Sequence, residues 1–278
     1  IMVYKSNHKD TTRWFCELPR DDIPFPTDGR PFHVHGSPPC QAFSTSGKKD
    51  AALIHAASDL IQWYILTALQ SGATTWTMEQ VASVHVISIL ENIRAKYRDR
   101  LAFYTFNFAD LGVPQTRRRI LAGTPHLIAS IMRKQGKDMR VSIAASVPNP
   151  RGTHIRSTLY HTHYRKRRID EEQTSRKARN VYIKAEWSRS CYPISGQAPT
   201  IIAGRNSGWW IRFEGNRTVR SVLSTTDVSA LQTFPVTYKL PLQPRYLGFR
   251  LVGNAVPPKV AKIVMECASA LRPCTQRA

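Results

Sequence analysis

The sequence predicts an α/β fold, in which the strands of a sheet are joined by helices that pack on its faces. Two observations support this prediction. Short strand-like segments alternate with longer segments of helical periodicity through residues 1–124. The chain has 278 residues, of which 42% are hydrophobic, so it can bury one large core, or one core and a smaller lobe.

The predicted elements follow one another as strand, helix, strand, helix, strand and strand. Their ranges are 32–37, 50–70, 74–78, 84–97, 101–108 and 119–122. The first helix is assigned because apolar residues recur at i, i+3 and i+4, and Gly72 ends it. Functional groups of such sheets gather at the carboxyl ends of the strands. Cys40 and Glu79 each follow a predicted strand, so we expect both at one edge of the sheet.

The chain from residue 125 onward has a different composition. Helical periodicity fades after Gly136, and 151–189 is dense in arginine, lysine and histidine, with aromatic residues between them. This pattern predicts a separate basic lobe over 125–215. Two further helices are predicted in the C-terminal part, 216–278, at 224–231 and 259–271.

The formal net charge of +21 indicates a polyanionic partner, either nucleic acid or an anionic membrane surface. The sequence shows no apolar run long enough for a membrane span and no segment that resembles a signal peptide. We therefore expect an intracellular protein without a membrane partner, in a prokaryotic cytoplasm or nucleoid or in a nucleus. The cluster Arg165, Lys166, Arg167 and Arg168 is interpreted as a phosphate and groove contact rather than a solvated charge run, because aromatic residues flank it.

The cysteines are odd in number and scattered, without a CxxC pair, which predicts neither a disulfide framework nor a metal site. They are Cys16, Cys40, Cys191, Cys267 and Cys274. A lone cysteine is more often a small buried hydrophobe than a nucleophile. Cys40 differs, because Pro38 and Pro39 stiffen the loop before it and lysines follow at 48 and 49. A rigid, electropositive loop favours the thiolate.

Five segments resemble motifs of the cytosine-5 DNA methyltransferases, and they occur in the order of that family. They are PPCQAFS at 38–44, EQV at 79–81, QTRRR at 115–119, the LS to LQTFP segment at 223–235 and GNAVPP at 253–258. On these motifs the chain is identified as a member of the family. The resemblance implies a Rossmann-like, S-adenosylmethionine-dependent methyltransferase sheet with a smaller, basic target-recognition lobe.

The resemblance also implies a mechanism. The Cys40 thiolate would attack C6 of a flipped-out cytosine, so that C5 can accept a methyl group from S-adenosylmethionine. Glu79 would hydrogen-bond N3 and the exocyclic amine, while Arg119, with Arg117 nearby, would hold the O2 edge. Double-stranded DNA is the implied substrate. A tRNA methyltransferase of the same superfamily is the less favoured alternative, because its Cys-Phe-Thr motif is not found here.

Binding residues and domain limits are carried over from the same motifs. The implied cofactor contacts are Pro38, Pro39, Asn254, Ala255 and Val256. The implied DNA contacts are Gln41, Ser44, Gln115 and the cluster Arg165, Lys166, Arg167 and Arg168. Residues 1–124 would be an N-terminally truncated catalytic domain, 125–215 the target-recognition lobe, and 216–278 the return to the catalytic domain.

The sequence departs from the family where the cofactor motifs belong. The family begins with a Phe-x-Gly-x-Gly loop, but no Gly-x-Gly occurs here, so the predicted sheet lacks its first strand or strands. Three alternatives stay open: the sequence is a fragment, a second polypeptide carries the cofactor half, or the chain is a degenerate relative that binds DNA without methylating it. Gln80 replaces asparagine, Thr226 replaces arginine and Asp227 replaces glutamate, and all three changes are interpreted as structural.

Overall fold

A computed structural model describes residues 2–12, 16–20, 22–43, 50–147, 150–152, 154–157, 191–203, 208–214 and 217–271. The helices there are α1 (Met2–Asn7), α2 (Ala51–Gln70), α3 (Val84–Lys96), α4 (Pro125–Met132), α5 (Ile143–Ser146), α6 (Thr225–Leu231), α7 (Arg245–Asn254) and α8 (Pro258–Ala270). The strands are β1 (His33–Gly36), β2 (Thr75–Val81), β3 (Ala102–Asn107), β4 (Arg118–Gly123), β5 (His154–Ser157), β6 (Cys191–Pro193), β7 (Gly208–Glu214) and β8 (Arg217–Val222). Short 3-10 turns occupy Gln41–Phe43, Phe108–Leu111 and Lys137–Met139.

The chain divides into two compact units, each assembled from three separate segments. Unit 1 comprises Ile1–Asp10, Ala109–Arg117 and Lys137–Lys259, and unit 2 comprises Thr11–Phe108, Arg118–Gly136 and Val260–Ala278. The two units therefore interleave along the sequence. The predicted division into 1–124, 125–215 and 216–278 stays a prediction.

The sheet of unit 2 has the strand order β1-β2-β4-β3. β1 and β2 are parallel, with Gly36 opposite Met78, and α2 forms the crossover between them. β4 is antiparallel to both β2 and β3. The sheet is therefore mixed. β3 and β4 are adjacent and antiparallel, and only the short 3-10 turn Phe108–Leu111 and a loop link them, so the chain turns back without an α-helical crossover.

One face of this sheet packs on α2 and α3. The core there includes alternate residues of two strands, Trp76 and Met78 of β2 and Ile120 and Ala122 of β4, together with apolar residues of both helices. Asp50 caps α2 by accepting from the backbone N–H groups of Ala52 and Leu53, and Gly72 follows the helix with a φ of 73°. Among the described helices, α2 alone is long and apolar enough to span a membrane. Its residues Ala57, Ile61, Ile65, Ala68 and Leu69 are buried in this core instead.

Unit 1 contains an antiparallel sheet with the order β6-β5-β7-β8. Its core brings Trp210 of β7 together with Leu231 of α6 and with Phe249 and Val252 of α7. α6 begins where it was predicted, because Ser224 and Asp227 form a capping box. The sequence patterns predicted neither this sheet nor α7.

The second strand of the chain is longer than predicted. β2 covers Thr75–Val81, so Glu79 lies inside the strand and not after its end. The extension has a physical cause: β4 pairs with β2 as far as Val81, which lies opposite Arg119. A local β-propensity pattern carries no information about a pairing partner that is nearly forty residues away in sequence.

Candidate active site

The loop that carries Cys40 is fixed at both ends. β1 stops at Gly36, and Pro38 and Pro39 have no backbone N–H with which to extend the strand pairing. After Cys40 the chain enters the turn Gln41–Phe43, where the Phe43 N–H donates to the Cys40 carbonyl at 3.1 Å. Phe43 is buried in the core of unit 2. Half-buried Cys40 thus lies between a strand end and an apolar anchor.

The structure brings this loop and Glu79 to the same edge of the sheet. β1 and β2 run parallel, so their carboxyl ends coincide, and Gly36 opposite Met78 is the last pair of the register. Glu79 and Gln80 are the next two residues of β2. The Gln80 side chain donates from Nε2 to the Pro38 carbonyl at 3.0 Å, which ties the loop directly to β2.

Glu79 is buried beside a single arginine. Glu79 is 7% exposed. The Nε atom of Arg119, on β4, lies 3.2 Å from the Glu79 Oε1. The contact is an ion pair by distance but lacks hydrogen-bond geometry, so Oε1 accepts no hydrogen bond from the described part of the chain. A buried carboxylate oxygen without a donor is rare in folded proteins, because desolvation is then uncompensated. This atom can accept a hydrogen bond from a ligand.

Sequence reasoning missed a polar cluster on the same face of the sheet. His33 is hydrogen-bonded to the Thr75 hydroxyl at 2.8 Å and to the Thr77 hydroxyl at 3.0 Å, and His35 contacts the Thr77 hydroxyl at 2.8 Å. Burial, with a smaller contribution from the charge of His35, lowers the pKa of His33 to about 4. His33 is therefore neutral near pH 7. The signal was present as a period of two, since His33 and His35 alternate on β1 and Thr75, Thr77 and Glu79 alternate on β2.

Gln115 lies in the interior of unit 1. It is fully buried, its Nε2 donates to the Leu231 carbonyl at 2.9 Å, and its Oε1 accepts from the Ile201 N–H at 3.0 Å. It also donates to the Gln232 side chain. These contacts hold together segments that are far apart in sequence. The structure thus gives Gln115 a scaffolding role, and its contact with DNA stays a prediction.

Arg117 is also buried in unit 1, at 2% exposure. Its guanidinium donates to the carbonyls of Ile201 and Gly253 at 3.1 Å. The GNAVPP segment is therefore braced from inside by Arg117, and by Gln232, whose Nε2 donates to the Ala255 carbonyl at 2.7 Å. These contacts give Arg117 a scaffolding role in unit 1, and its contact with the base stays a prediction. Arg119 remains the arginine that the structure puts beside Glu79.

The other predicted binding residues are distributed over both units. Pro39, Gln41 and Asn254 are exposed, and Pro38, Ala255 and Val256 are half-buried. Ser44 and the cluster Arg165, Lys166, Arg167 and Arg168 lie outside the described residues. Within the described ranges, no group of three or more His, Cys, Asp or Glu residues is arranged to hold a metal ion.

The S-adenosylmethionine site that the family resemblance implies lacks one of its usual sequence elements here. The sequence has no Gly-x-Gly turn. Gly36, the glycine at the end of β1, makes room for the Tyr64 side chain: a Cβ there would lie 2.2 Å from the Tyr64 ring. Tyr64 is held in that position by donating to the Thr77 carbonyl at 2.7 Å.

Sequence comparisons relate this chain to known methyltransferases. The profile of the C-5 cytosine-specific DNA methylase family matches residues 2–269. The type II methyltransferase M.HindV of Haemophilus influenzae is 27% identical over 248 residues, covering 83% of this chain and 72% of its own length. The type II methyltransferase M.HgiDI of Herpetosiphon aurantiacus is 25% identical over 239 residues, covering 82% and 70%.

Solved structures show the same fold at low sequence identity. The crystal structure of the S. pombe Dnmt2 methyltransferase superposes with a TM-score of 0.52 at 14% identity, covering 86% of this chain and 77% of that one. The Entamoeba histolytica methyltransferase EhMeth gives the same values. The mixed α/β sheet of unit 2 is thus part of a Rossmann-like methyltransferase fold. Because the family profile spans nearly the whole chain, this protein belongs to the C-5 cytosine-specific DNA methylase family.

Proposed function

We propose that this chain methylates C5 of cytosine in double-stranded DNA, with Cys40 as the nucleophile. The observation that carries the proposal is the buried Glu79 Oε1, which accepts no hydrogen bond within the described structure and lies 3.2 Å from the Arg119 Nε. Glu79 still has an oxygen free to accept a hydrogen bond, and Arg119 can donate one. Cytosine offers an amine and a carbonyl, so it suits this pair at the sheet edge that holds the cysteine loop.

The chemistry needs each of these groups. C5 of cytosine is a weak nucleophile, so a thiolate must first add to C6. The Cys40 Sγ–C6 bond forms, and the electron pair of the C5–C6 double bond moves toward C5 and the ring. Glu79 accepts from the exocyclic amine, and Arg119 balances the carboxylate and donates to the O2 edge. C6 is inaccessible in stacked DNA, so the base must leave the helix.

S-adenosylmethionine is the donor implied by family membership, and this chain supplies only part of its site. The open edge of β1 suggests where the rest attaches. Within the described residues, β1 pairs with β2 alone, so the other edge of the strand presents unpaired backbone groups. We infer that a further segment, or a second polypeptide that carries the cofactor motifs, adds strands there.

The first test uses a reaction that needs no donor. Thiolate addition makes C5 basic, so C5 takes up a solvent proton. When a base then removes the original hydrogen from C5, the C5–C6 double bond re-forms and the Cys40 thiolate leaves C6. DNA that carries tritium at cytosine C5 should therefore lose tritium to water in the presence of the chain alone. Cys40→Ser should abolish this release, whereas Cys16→Ser, at an exposed cysteine, should leave it intact.

Two further arms separate the rival functions. Labelled S-adenosylmethionine, supplied with a segment that restores the cofactor motifs, should give methylated DNA. A silent DNA-binding homologue would bind DNA but show neither exchange nor transfer, and that result would overturn the proposal. Exchange on tRNA but not on DNA would assign the chemistry to an RNA substrate instead.

A further inference from the structure

Gln80 is a fully buried side chain whose amide is used at both ends. Nε2 donates to the Pro38 carbonyl at 3.0 Å, and Oε1 accepts from the backbone N–H of the next residue, Val81, at 2.7 Å. Gln80 follows Glu79 directly in β2, so the two side chains point to opposite faces of the sheet. One residue faces Arg119 while its neighbour holds the cysteine loop.

The bond to Pro38 replaces backbone pairing that the loop cannot make. The β1–β2 register ends with Gly36 opposite Met78, and neither Pro38 nor Pro39 has an N–H to donate. The Gln80 amide carries the connection between the strands two residues further. Cys40 then lies two residues beyond this tether and three residues before the buried anchor Phe43.

The two hydrogen bonds of Gln80 depend on the length of its side chain. Gln80 reaches the Pro38 carbonyl while its carbonyl end turns back to Val81, so the position of the loop depends on the separation of these two contacts. Asparagine, the residue of the resembled motif, is shorter by one carbon–carbon bond of about 1.5 Å. It cannot make both contacts with the backbone unchanged.

We propose that Gln80 is a positioning residue that sets the place of Cys40 relative to Glu79. The inference rests on the proposed function for its catalytic consequence, but the placement of the loop can be measured independently. A displacement of the nucleophile by about 1 Å costs on the order of 100-fold in rate when the reacting atoms must be aligned. DNA affinity should be unaffected, because Gln80 is buried.

The test compares Gln80→Glu and Gln80→Asn with the control Gln70→Glu, at an exposed position on α2. Glutamate keeps the shape but sets an oxygen against the Pro38 carbonyl, so C5 exchange per active site should fall by about 100-fold with unchanged DNA affinity. The Asn variant should fall by about 10-fold. The control should match the wild type, and a pH profile of unchanged shape should accompany the lower rates.

A second readout needs no activity. Alkylation of Cys40 by iodoacetamide should be several-fold faster in both Gln80 variants, with exposed Cys16 as the internal reference. If wild-type exchange is absent but the alkylation rates change, the proposed function fails and the positioning role stands. If wild-type exchange is present and either folded variant keeps its rate per active site and its alkylation rate, the positioning role is wrong.

Discussion

Two carboxylates of this protein are equally buried and are satisfied to very different degrees. Glu79 and Asp227 are each 7% exposed. In unit 1 the Asp227 Oδ2 accepts from the Ser224 N–H at 2.7 Å and the Trp210 Nε1 at 3.0 Å, and Arg151 lies at 3.2 Å. In unit 2 Glu79 has Arg119 as its charged neighbour, and its Oε1 accepts no hydrogen bond within the described ranges.

The difference teaches how to separate structural from functional charge. Asp227 uses its acceptor capacity on a helix cap, an indole and an arginine, so it holds α6 against the sheet of unit 1. Glu79 is buried without such compensation, which is unfavourable unless a ligand supplies the missing donor. Burial alone would have ranked the two residues equally.

The largest expected effect is on catalysis at Glu79. Glu79→Gln removes the charge but keeps the shape, so C5 exchange should fall by about 100- to 1000-fold, as for the removal of one transition-state hydrogen bond. Stability should change by about 1 kcal/mol or less, because the loss of the ion pair with Arg119 is offset by relief of the desolvation cost of a buried carboxylate. Tritium release and urea unfolding measure the two quantities. If Glu79→Gln exchanged tritium at the wild-type rate, the distinction between Glu79 as a functional carboxylate and Asp227 as a structural one would be wrong.

Asp227 should show the reverse pattern. Asp227→Ala leaves the Trp210 indole and the Ser224 N–H without their acceptor, so unfolding free energy should drop by about 2 to 3 kcal/mol. Asp227→Asn keeps one oxygen and should be less destabilised. Exchange per folded molecule should stay within about twofold of the wild type, because the Asp227 carboxylate already accepts from Ser224 and Trp210. A large drop in rate at full stability would give Asp227 a catalytic role.

Gln115 and Gln41 were both predicted to contact DNA, and a pair of variants can show which of them is structural. Gln115→Leu should cost about 2 kcal/mol of stability, because it leaves buried backbone groups at Leu231 and Ile201 without partners, and DNA affinity should not change. The matched variant is Gln41→Leu, at an exposed position, which should weaken DNA binding without lowering stability. Titration of fluorescent DNA with each variant decides which glutamine contacts it.

The smallest expected effect is on pH dependence. The folded pKa of His33 is about 4, below the ordinary value of 6.5, so the unfolded chain takes up the proton first. The stability associated with neutral His33 is present above pH 6.5 and is lost as the pH falls toward 4, by about 1 to 2 kcal/mol. His33→Asn should flatten this slope in urea unfolding between pH 7 and pH 5. An unchanged slope would assign it to other groups.

Local patterns predicted the elements that local forces determine. The apolar stripe of α2, the glycine that ends it and the Ser224 cap of α6 all act within a few residues, and the structure has them where the sequence placed them. The edge that joins Cys40 and Glu79 followed from the rule for parallel strands.

The features that local patterns did not predict depend on distant contacts. The hydrogen bonds that bury Gln115 and Arg117 are an example, because their partners at Ile201 and Gly253 are more than eighty residues away. The same holds for the length of β2, which β4 extends, and for the sheet of β5 to β8, which depends on pairing across long stretches of chain. The missing hydrogen-bond donor to Glu79 is likewise visible only in three dimensions.

The interleaving of the two units has a consequence for how the chain can be folded and cut. Each unit needs three segments, and the chain passes from one unit to the other at residues 10–11, 108–109, 117–118, 136–137 and 259–260. No contiguous fragment short of nearly the whole chain therefore contains either unit entire. Such long-range closure makes folding slow, since loop entropy is lost before distant contacts form. Dissection of this protein is better done with complementary fragments that reassemble than with isolated domains.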